Sequence, residues 1–426
     1  MTWALATIAA LVIAFAAFSR RLEGRNVTAA IFFTTAGLVA GPALGLLDIP
    51  IRSEEVKLLA EITLTLVLFA DASRISLPRL RGEYRVPLRL LAIGLPLTIA
   101  AGTLAGVAVL PGIGPAEALV LAVMVAATDA ALGQAVVTDR RLPSRIRQGL
   151  NVESGLNDGL CVPLFFIAIA IAEAEDGALS TASAIHLVLE EIGYGLVGGV
   201  AAAIVGGLAV RAGVSRRAME PHGLQILTAA TALLAAGIAS ALGGSIFIAA
   251  FVGGVAFAIV RGDEGGEGRF LVDEGGTLFD AVTFIVFGAV ILGAALDDIT
   301  WQIALYAVLS LTVVRMLPVA IALLGLGARA PTVAFVGWFG PRGLASIVFA
   351  VILIDDASVP HEQTLLLAVI ATVALSVYAH GLSSRPLTER YARWYGSPPG
   401  GAAPAMERVP AAEHPWRRPA AARADD

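Results

Sequence analysis

The sequence predicts an all-α polytopic membrane protein of about thirteen transmembrane helices. Three observations predict it. Of 426 residues, 57% are hydrophobic and only 15% charged, and the mean hydropathy is +0.82; soluble domains carry about a quarter charged residues. Apolar runs of roughly the 20 residues that cross a bilayer recur along the whole chain. The loops between them alternate in charge.

The spans lie at about 2–18, 27–46, 55–72, 87–110, 116–137, 149–172, 185–210, 222–241, 244–260, 278–295, 300–325, 331–354 and 362–382. The first has no basic stretch before it and no clear cleavage site, so it reads as a retained span rather than a signal peptide. The third holds Glu61 and Asp71 among apolar residues, and the eleventh holds Arg315. The fifth and twelfth are interrupted, at Ala126-Ala127-Thr128-Asp129-Ala130 and at Phe339-Gly340-Pro341-Arg342-Gly343. Residues 1–385 form the membrane domain. The remainder, 386–426, is a tail rich in Pro, Ala, Gly and Arg beyond Tyr395, without apolar periodicity, and it reads as largely disordered.

The odd loops carry the arginines: Arg20, Arg21 and Arg25; Arg74, Arg79, Arg81, Arg85 and Arg89; Arg140, Arg141, Arg145 and Arg147; Arg211, Arg216 and Arg217; then Arg261, Arg269 and Arg329. The even loops hold only Arg52 and Lys57, and carry acids at Glu173, Glu175, Asp176, Asp297, Asp298, Asp355 and Asp356. Positive loops stay inside, so the N-terminus is expected outside and the C-terminus in the cytoplasm. The high Ala, Gly and Arg content suggests a GC-rich bacterial genome, hence a bacterial inner membrane. Cys161 is the lone cysteine, which excludes a disulfide framework and a cysteine metal site. No cofactor and no nucleic-acid partner are expected.

A charge at bilayer depth costs at least ~2.5–3.5 kcal/mol and usually faces a partner or a water-filled cavity. The stretch Asn151-Val152-Glu153-Ser154-Gly155-Leu156-Asn157-Asp158-Gly159 brings two carboxylates to the head of the sixth span. Ser154 and Asp158, four apart, share a helix face. Their oxygens, with unwound carbonyls near Thr128, suit a hard monovalent cation, and a buried carboxylate takes either a proton or a cation. Glu153 points about 140° away from Asp158 and needs a partner of its own, for which Arg315 is the candidate. Interruptions in corresponding spans of two halves point to a site at the midplane of an inverted repeat: spans one to six and eight to thirteen, with span seven as linker. Blander readings are an ordinary helix start in the headgroup zone for the motif of the sixth span, a kink with a snorkelling Arg342, and an Arg315 facing lipid.

Thr128-Asp129, Glu153 to Gly159, Arg315 and Gly340-Pro341-Arg342-Gly343, in this order and spacing, resemble the first branch of the monovalent cation/proton antiporters, the NhaP-type and NHE-type sodium/proton exchangers. The resemblance covers about residues 5 to 385. It implies an inverted-repeat transporter fold with two discontinuous helices crossing near the midplane. It implies exchange of Na⁺ or Li⁺ for H⁺ by competition at Asp158 in an alternating-access cycle. Asn157 then stands where electrogenic relatives carry a second Asp, which implies electroneutral one-for-one exchange. Na⁺ would lie at Asp158, Ser154 and Thr128, with Asp129 beside it in the broken helix. Glu153 and Arg315 would be a structural ion pair, and Arg342 the charge that balances the crossing. Phe69-Ala70-Asp71 is similar to a third-span Phe-x-acid stretch that usually carries Glu, and Ala130 stands where the family commonly has Pro. A homodimer in the lipid bilayer is expected. K⁺/H⁺ exchange uses the same ligand set. An ion channel predicts repeated filter loops, and an intramembrane hydrolase a zinc-binding histidine pair or a Gly-x-Gly-Asp turn; none of these occurs, and His186, His222, His361, His380 and His414 lack ligand spacing.

Overall fold

The structure, a computed structural model, describes residues 2–47, 50, 53–74, 84–262, 270–356, 358–397 and 405–411, and these contain helices and no strand. Each expected span coincides with a helix or a broken pair. In chain order they are α1 (Thr2–Glu23), α2 (Ala29–Ala43), α3 (Glu54–Ser73), α4 (Arg85–Val109), α5a (Pro115–Met124) and α5b (Gln134–Val137), then α6 (Ser144–Glu175) and α7 (Thr181–Ser215). They continue as α8 (Pro221–Leu242), α9 (Ile246–Arg261), α10 (Phe270–Asp298), α11 (Trp301–Leu323), α12a (Ala330–Trp338) and α12b (Leu344–Asp356), α13 (Glu362–Gly396) and the short α14 (Ala405–Arg408). Eight of these helices are long and apolar enough to cross a membrane unaided. The chain is a multi-pass membrane protein.

Local chemistry sets the helix ends. The hydroxyls of Thr28, Ser53, Ser180, Ser245 and Thr300 accept the N–H three residues on, capping α2, α3, α7, α9 and α11. Gly243 closes α8 at φ 82°, a backbone shape that costs glycine little. The helices α6, α7 and α13 outrun the expected spans by several residues at one or both ends.

Lipid supplies no hydrophobic drive between helices, so close backbone packing must hold them. On α7, a methyl group at Gly199 would lie 2.5 Å from the Ala249 carbonyl of α9, and one at Gly198 2.8 Å from the Ala239 nitrogen of α8. Trp3, Ile13 and Phe18 of α1 and Leu189 and Val205 of α7 remain exposed, as suits a surface covered by lipid.

Part of the tail departs from the expected disorder. Glu407 is buried and accepts hydrogen bonds from the Arg329 N–H (3.1 Å) and the Thr332 hydroxyl (2.5 Å) at the start of α12a. The Met406 carbonyl accepts from Arg145 Nη1 (3.2 Å), and the Ala411 N–H donates to Ser144 Oγ at the start of α6 (3.0 Å). A carboxylate at a helix N-terminus satisfies N–H groups that no helix turn can. One charged residue does this without any periodic pattern. Residues 398–404 and 412–426 of the tail, with His414 among them, and loop residues Arg52, Arg79, Arg81 and Arg269, lie outside the described residues.

Candidate functional site at the helix crossing

The α5 helix stops at Met124 and resumes at Gln134; α12 stops at Trp338 and resumes at Leu344. The two breaks meet. The Asp129 N–H donates to the Pro341 carbonyl at 2.7 Å. Asp129 Oδ1 accepts from the Ala131 N–H (2.7 Å) and the Leu132 N–H (3.4 Å), and Oδ2 from the Leu344 N–H (3.0 Å). One carboxylate thus serves N–H groups in the break of α5 and at the start of α12b, whose helix dipole favours negative charge. Arg342 answers it at the opposite ends. Fully buried, it donates from Nη1 to the carbonyls of Ala126 and Ala127, the latter at 3.2 Å, just past the end of α5a. Two of the carbonyls that the sequence suggested as ion ligands are therefore engaged by Arg342.

The motif Gly340-Pro341-Arg342-Gly343 follows from this geometry. A methyl at Gly340 would collide with the Arg315 guanidinium, and one at Gly343 with the Asp129 carboxylate. Both glycines let charged groups reach the backbone.

Beside the crossing, Asn157 Oδ1 accepts from the Thr128 N–H (3.1 Å), and its Nδ2 donates to Thr128 Oγ1 (2.7 Å). Thr128 Oγ1 also shares a hydrogen bond with Ser154 Oγ (3.0 Å). Thr128, Ser154 and Asn157 therefore form one buried polar cluster that fastens the unwound part of α5 to α6. Asp158, also buried, follows Asn157 directly and lies one helical turn from Ser154. On the neighbouring turn, Gly159 lets Phe251 of α9 lie against the helix with no room for a methyl group.

Glu153 and Arg315 form a bidentate ion pair, Nη1 to Oε1 at 2.5 Å and Nη2 to Oε2 at 2.9 Å, with both side chains 3% exposed. Arg315 faces protein, not lipid. Asp71 packs against α6 at Gly155, where an added methyl would lie 3.6 Å from its Cβ, and it accepts a hydrogen bond from Arg74 (2.5 Å). Glu61 is half-buried on α3.

Sequence reasoning missed one turn of α13. Ser376 Oγ accepts from the Arg342 N–H (2.6 Å), and His380 Nε2 lies 2.9 Å from the Trp338 carbonyl, the last of α12a. Nδ1 lies 3.0 Å from the carbonyl and 3.2 Å from the hydroxyl oxygen of Ser376, so a carbonyl stands in place to accept from either ring nitrogen. Ser376 and His380 together hold both sides of the α12 break. Their signal was a polar pair four apart in an apolar span, legible as one helix face; the sequence reading weighs only His380, and only for metal-ligand spacing among the histidines.

The fold matches that of the sodium proton antiporter MjNhaP1 from Methanocaldococcus jannaschii, with a TM-score of 0.75 at 18% identity, covering 91% of this chain and 98% of that one. The chain is 28% identical over 356 residues to a Na⁺/H⁺ antiporter of Saccharomyces cerevisiae, and 26% identical over 366 residues to the K⁺/H⁺ antiporter NhaP of Alkalimonas amylolytica. These alignments take in 78% and 85% of this chain, but only 35% and 61% of the two relatives. The sequence pattern of the transmembrane sodium/hydrogen exchangers matches residues 6–390. With the match running through nearly every helix and both breaks, the chain belongs to the sodium/hydrogen exchanger family.

Proposed function

We propose that the chain exchanges Na⁺ or Li⁺ for H⁺ across a membrane, one for one, by competition of cation and proton for Asp158. The observation that carries this reading is the cluster of Thr128, Ser154 and Asn157, held by α5 and α6 beside Asp158 where the broken helices cross. Hydroxyl oxygens keep lone pairs free while they hydrogen-bond, so Thr128 and Ser154 offer hard oxygen ligands next to a carboxylate. Asn157 cannot titrate. Glu153 is neutralised by Arg315, and Asp129 is engaged by three backbone N–H groups. Asp158 is then the one group that changes protonation in the cycle. Asp129 and Arg342 fix the crossing, and Asp71 lines the approach to the site. Nothing in this assignment calls for covalent catalysis.

The domain plan is part of the same proposal: residues 1–385 transport, with spans one to six and eight to thirteen as inverted repeats, span seven as linker and the tail in the cytoplasm. Alternating access needs two halves of this kind. The protein works as a homodimer in a bacterial inner membrane, N-terminus outside. A K⁺/H⁺ exchanger is the second reading, favoured by the name of the Alkalimonas relative. Purified protein in proteoliposomes tests both: Na⁺, Li⁺ and K⁺ gradients are imposed in turn, and proton flux is followed with a pH dye. Na⁺- and Li⁺-driven flux is expected. Flux driven by K⁺ alone selects the second reading, and flux driven by none of the three overturns the proposal.

A further inference from the structure

Two glycines of α6 flank Asp158 and meet different neighbours. At Gly155 an added methyl would lie 3.6 Å from the Asp71 Cβ of α3. At Gly159, four residues and about 6 Å further along the helix, it would fall on the Cγ, Cδ2 and Cε2 atoms of the Phe251 ring of α9. Asp71 is a carboxylate with 13% of its side chain exposed, and Gly155 is half-buried, so water reaches this end. Gly159 is buried under an apolar ring. In the orientation proposed above, α6 runs outward, so Asp71 lies on the cytoplasmic side of Asp158 and Phe251 on the outer side. The neighbouring helices agree, since α3 and α9 both run inward. A methyl at Gly254 would lie 2.6 Å from the Phe69 carbonyl, which sets these two residues level. Phe251 is then about 4.5 Å outward of that level and Asp71 about 3 Å inward of it.

The contacts of α9 also differ in kind. Against α7, a methyl at Gly199 would lie 2.5 Å from the Ala249 carbonyl, and one at Gly253 3.3 Å from the Gly199 carbonyl; against α3, Gly254 meets the Phe69 carbonyl. These are backbone-to-backbone contacts, which fix one close packing. At Gly159, α6 meets α9 through a side chain lying on a glycine, a contact that lets one helix slide over the other.

We propose that Phe251 is the outer gate of the exchange site: its ring, seated on Gly159, closes the path from the outer face to Asp158. This rests on the exchange reading and the orientation given above. An apolar constriction gates by excluding water, and an ion does not cross it dry. Alternating access then requires the ring to leave Gly159 when the site turns outward, with α6 shifting against an α9 that stays fixed to α3 and α7. Phe251 carries no ligand atom, so it is a positioning residue that acts on access rather than on binding. Gly159 is its seat, and a larger residue there holds the gate ajar. A ring that merely fills space between two helices has a different consequence: its removal costs folded protein but opens no path.

The test reads a leak that a packing residue does not produce. Purified protein is reconstituted in proteoliposomes with equal, strongly buffered pH on both sides. A K⁺/valinomycin potential, negative inside, is imposed, and the voltage-dependent part of radioactive Na⁺ uptake is measured. Electroneutral exchange gives none in the wild-type protein. Phe251→Ala empties the gate, so voltage should drive Na⁺ inward at a rate severalfold above wild type. Phe251→Gln fills most of the same space with a polar group that wets the constriction. It should leak as well, and it carries the test if the Ala variant fails to fold. Phe251→Leu keeps an apolar plug and should stay as tight as wild type. Folded protein is checked by fluorescence size-exclusion chromatography. Voltage-driven uptake in the Ala or Gln variant, with a tight Leu variant, supports the proposal. Folded Ala and Gln variants that show no such uptake, a Leu variant that leaks as much as they do, or loss of folded protein in both overturn it. Voltage-driven uptake by the wild-type protein, or its failure to exchange cations at all, overturns instead the exchange reading on which the proposal rests.

Discussion

Glu153 on α6 and Arg315 on α11 meet end to end, each carboxylate oxygen receiving one guanidinium nitrogen, and the same guanidinium presses against Gly340 in the break of α12. The pair therefore ties three helices at the level of the crossing. Removing one partner of a buried pair strands the other charge and typically costs ~3–5 kcal/mol. Glu153→Ala and Arg315→Ala should each lower the thermal unfolding temperature, and the double variant should lose less than the sum of the two. A thermal double-mutant cycle in detergent checks this, and additive losses would show that the two residues do not act as a pair.

Gly343→Ala places a methyl group on the Asp129 carboxylate, which itself holds the Leu344 N–H. The crossing has to open, so both folded yield and exchange should fall sharply. Gly237→Ala on α8 meets nothing within 4 Å and serves as the control. It should be neutral or stabilising, since Ala in a helix gains roughly 0.5–1 kcal/mol over Gly. Comparing the two by thermal shift and vesicle assay tests whether the close approach at Gly343 matters.

His380→Leu removes one of the two hydrogen bonds at the Trp338 carbonyl, which keeps the Gly340 N–H at 2.8 Å, at a cost of about 0.5–1.5 kcal/mol. His380→Gln keeps an amide N–H within reach. The Leu variant should unfold at a lower temperature, with Gln recovering most of the loss. Equal losses in the two variants would mean that ring packing on Trp338, with centroids 5.0 Å apart, matters more than the hydrogen bond.

One-for-one exchange makes the cycle blind to voltage. A membrane potential is worth about 2.3 kcal/mol per elementary charge per 100 mV, but a site that carries one positive charge in each direction moves no net charge. A potential set by K⁺ and valinomycin should leave the Na⁺/H⁺ end-point unchanged in proteoliposomes. A clear shift with voltage would require a second titrating group, with Asp129 the first to examine.

The helices and the breaks were legible in the sequence because each depends on a local pattern. Apolar length marks the spans, a Thr-Asp or Gly-Pro-Arg-Gly interruption marks a broken helix, and an intramembrane charge demands a partner. Arg315 could be assigned to Glu153 because a charge so deep among apolar residues needs an opposite one. What could not be read is which backbone groups the charges meet. That Arg342 takes the Ala126 and Ala127 carbonyls, that His380 and Ser376 hold the break of α12 and that Glu407 returns to α12a are all long-range pairings. No spacing along the chain encodes them. Asp71 was singled out, but Asp273, which shares Arg74 with it, sits on a distant helix and gave no local signal.

The central claim is that Asp158 alone carries the exchanged charge, and Asp158→Asn tests it most directly. The substitution keeps the shape and removes the titration and the negative charge. Reconstituted in proteoliposomes, a variant that inserts and elutes as folded protein should show no Na⁺-driven proton flux above protein-free vesicles. Flux near the wild-type rate would contradict the account and move the exchange site elsewhere, with Asp129 the first candidate.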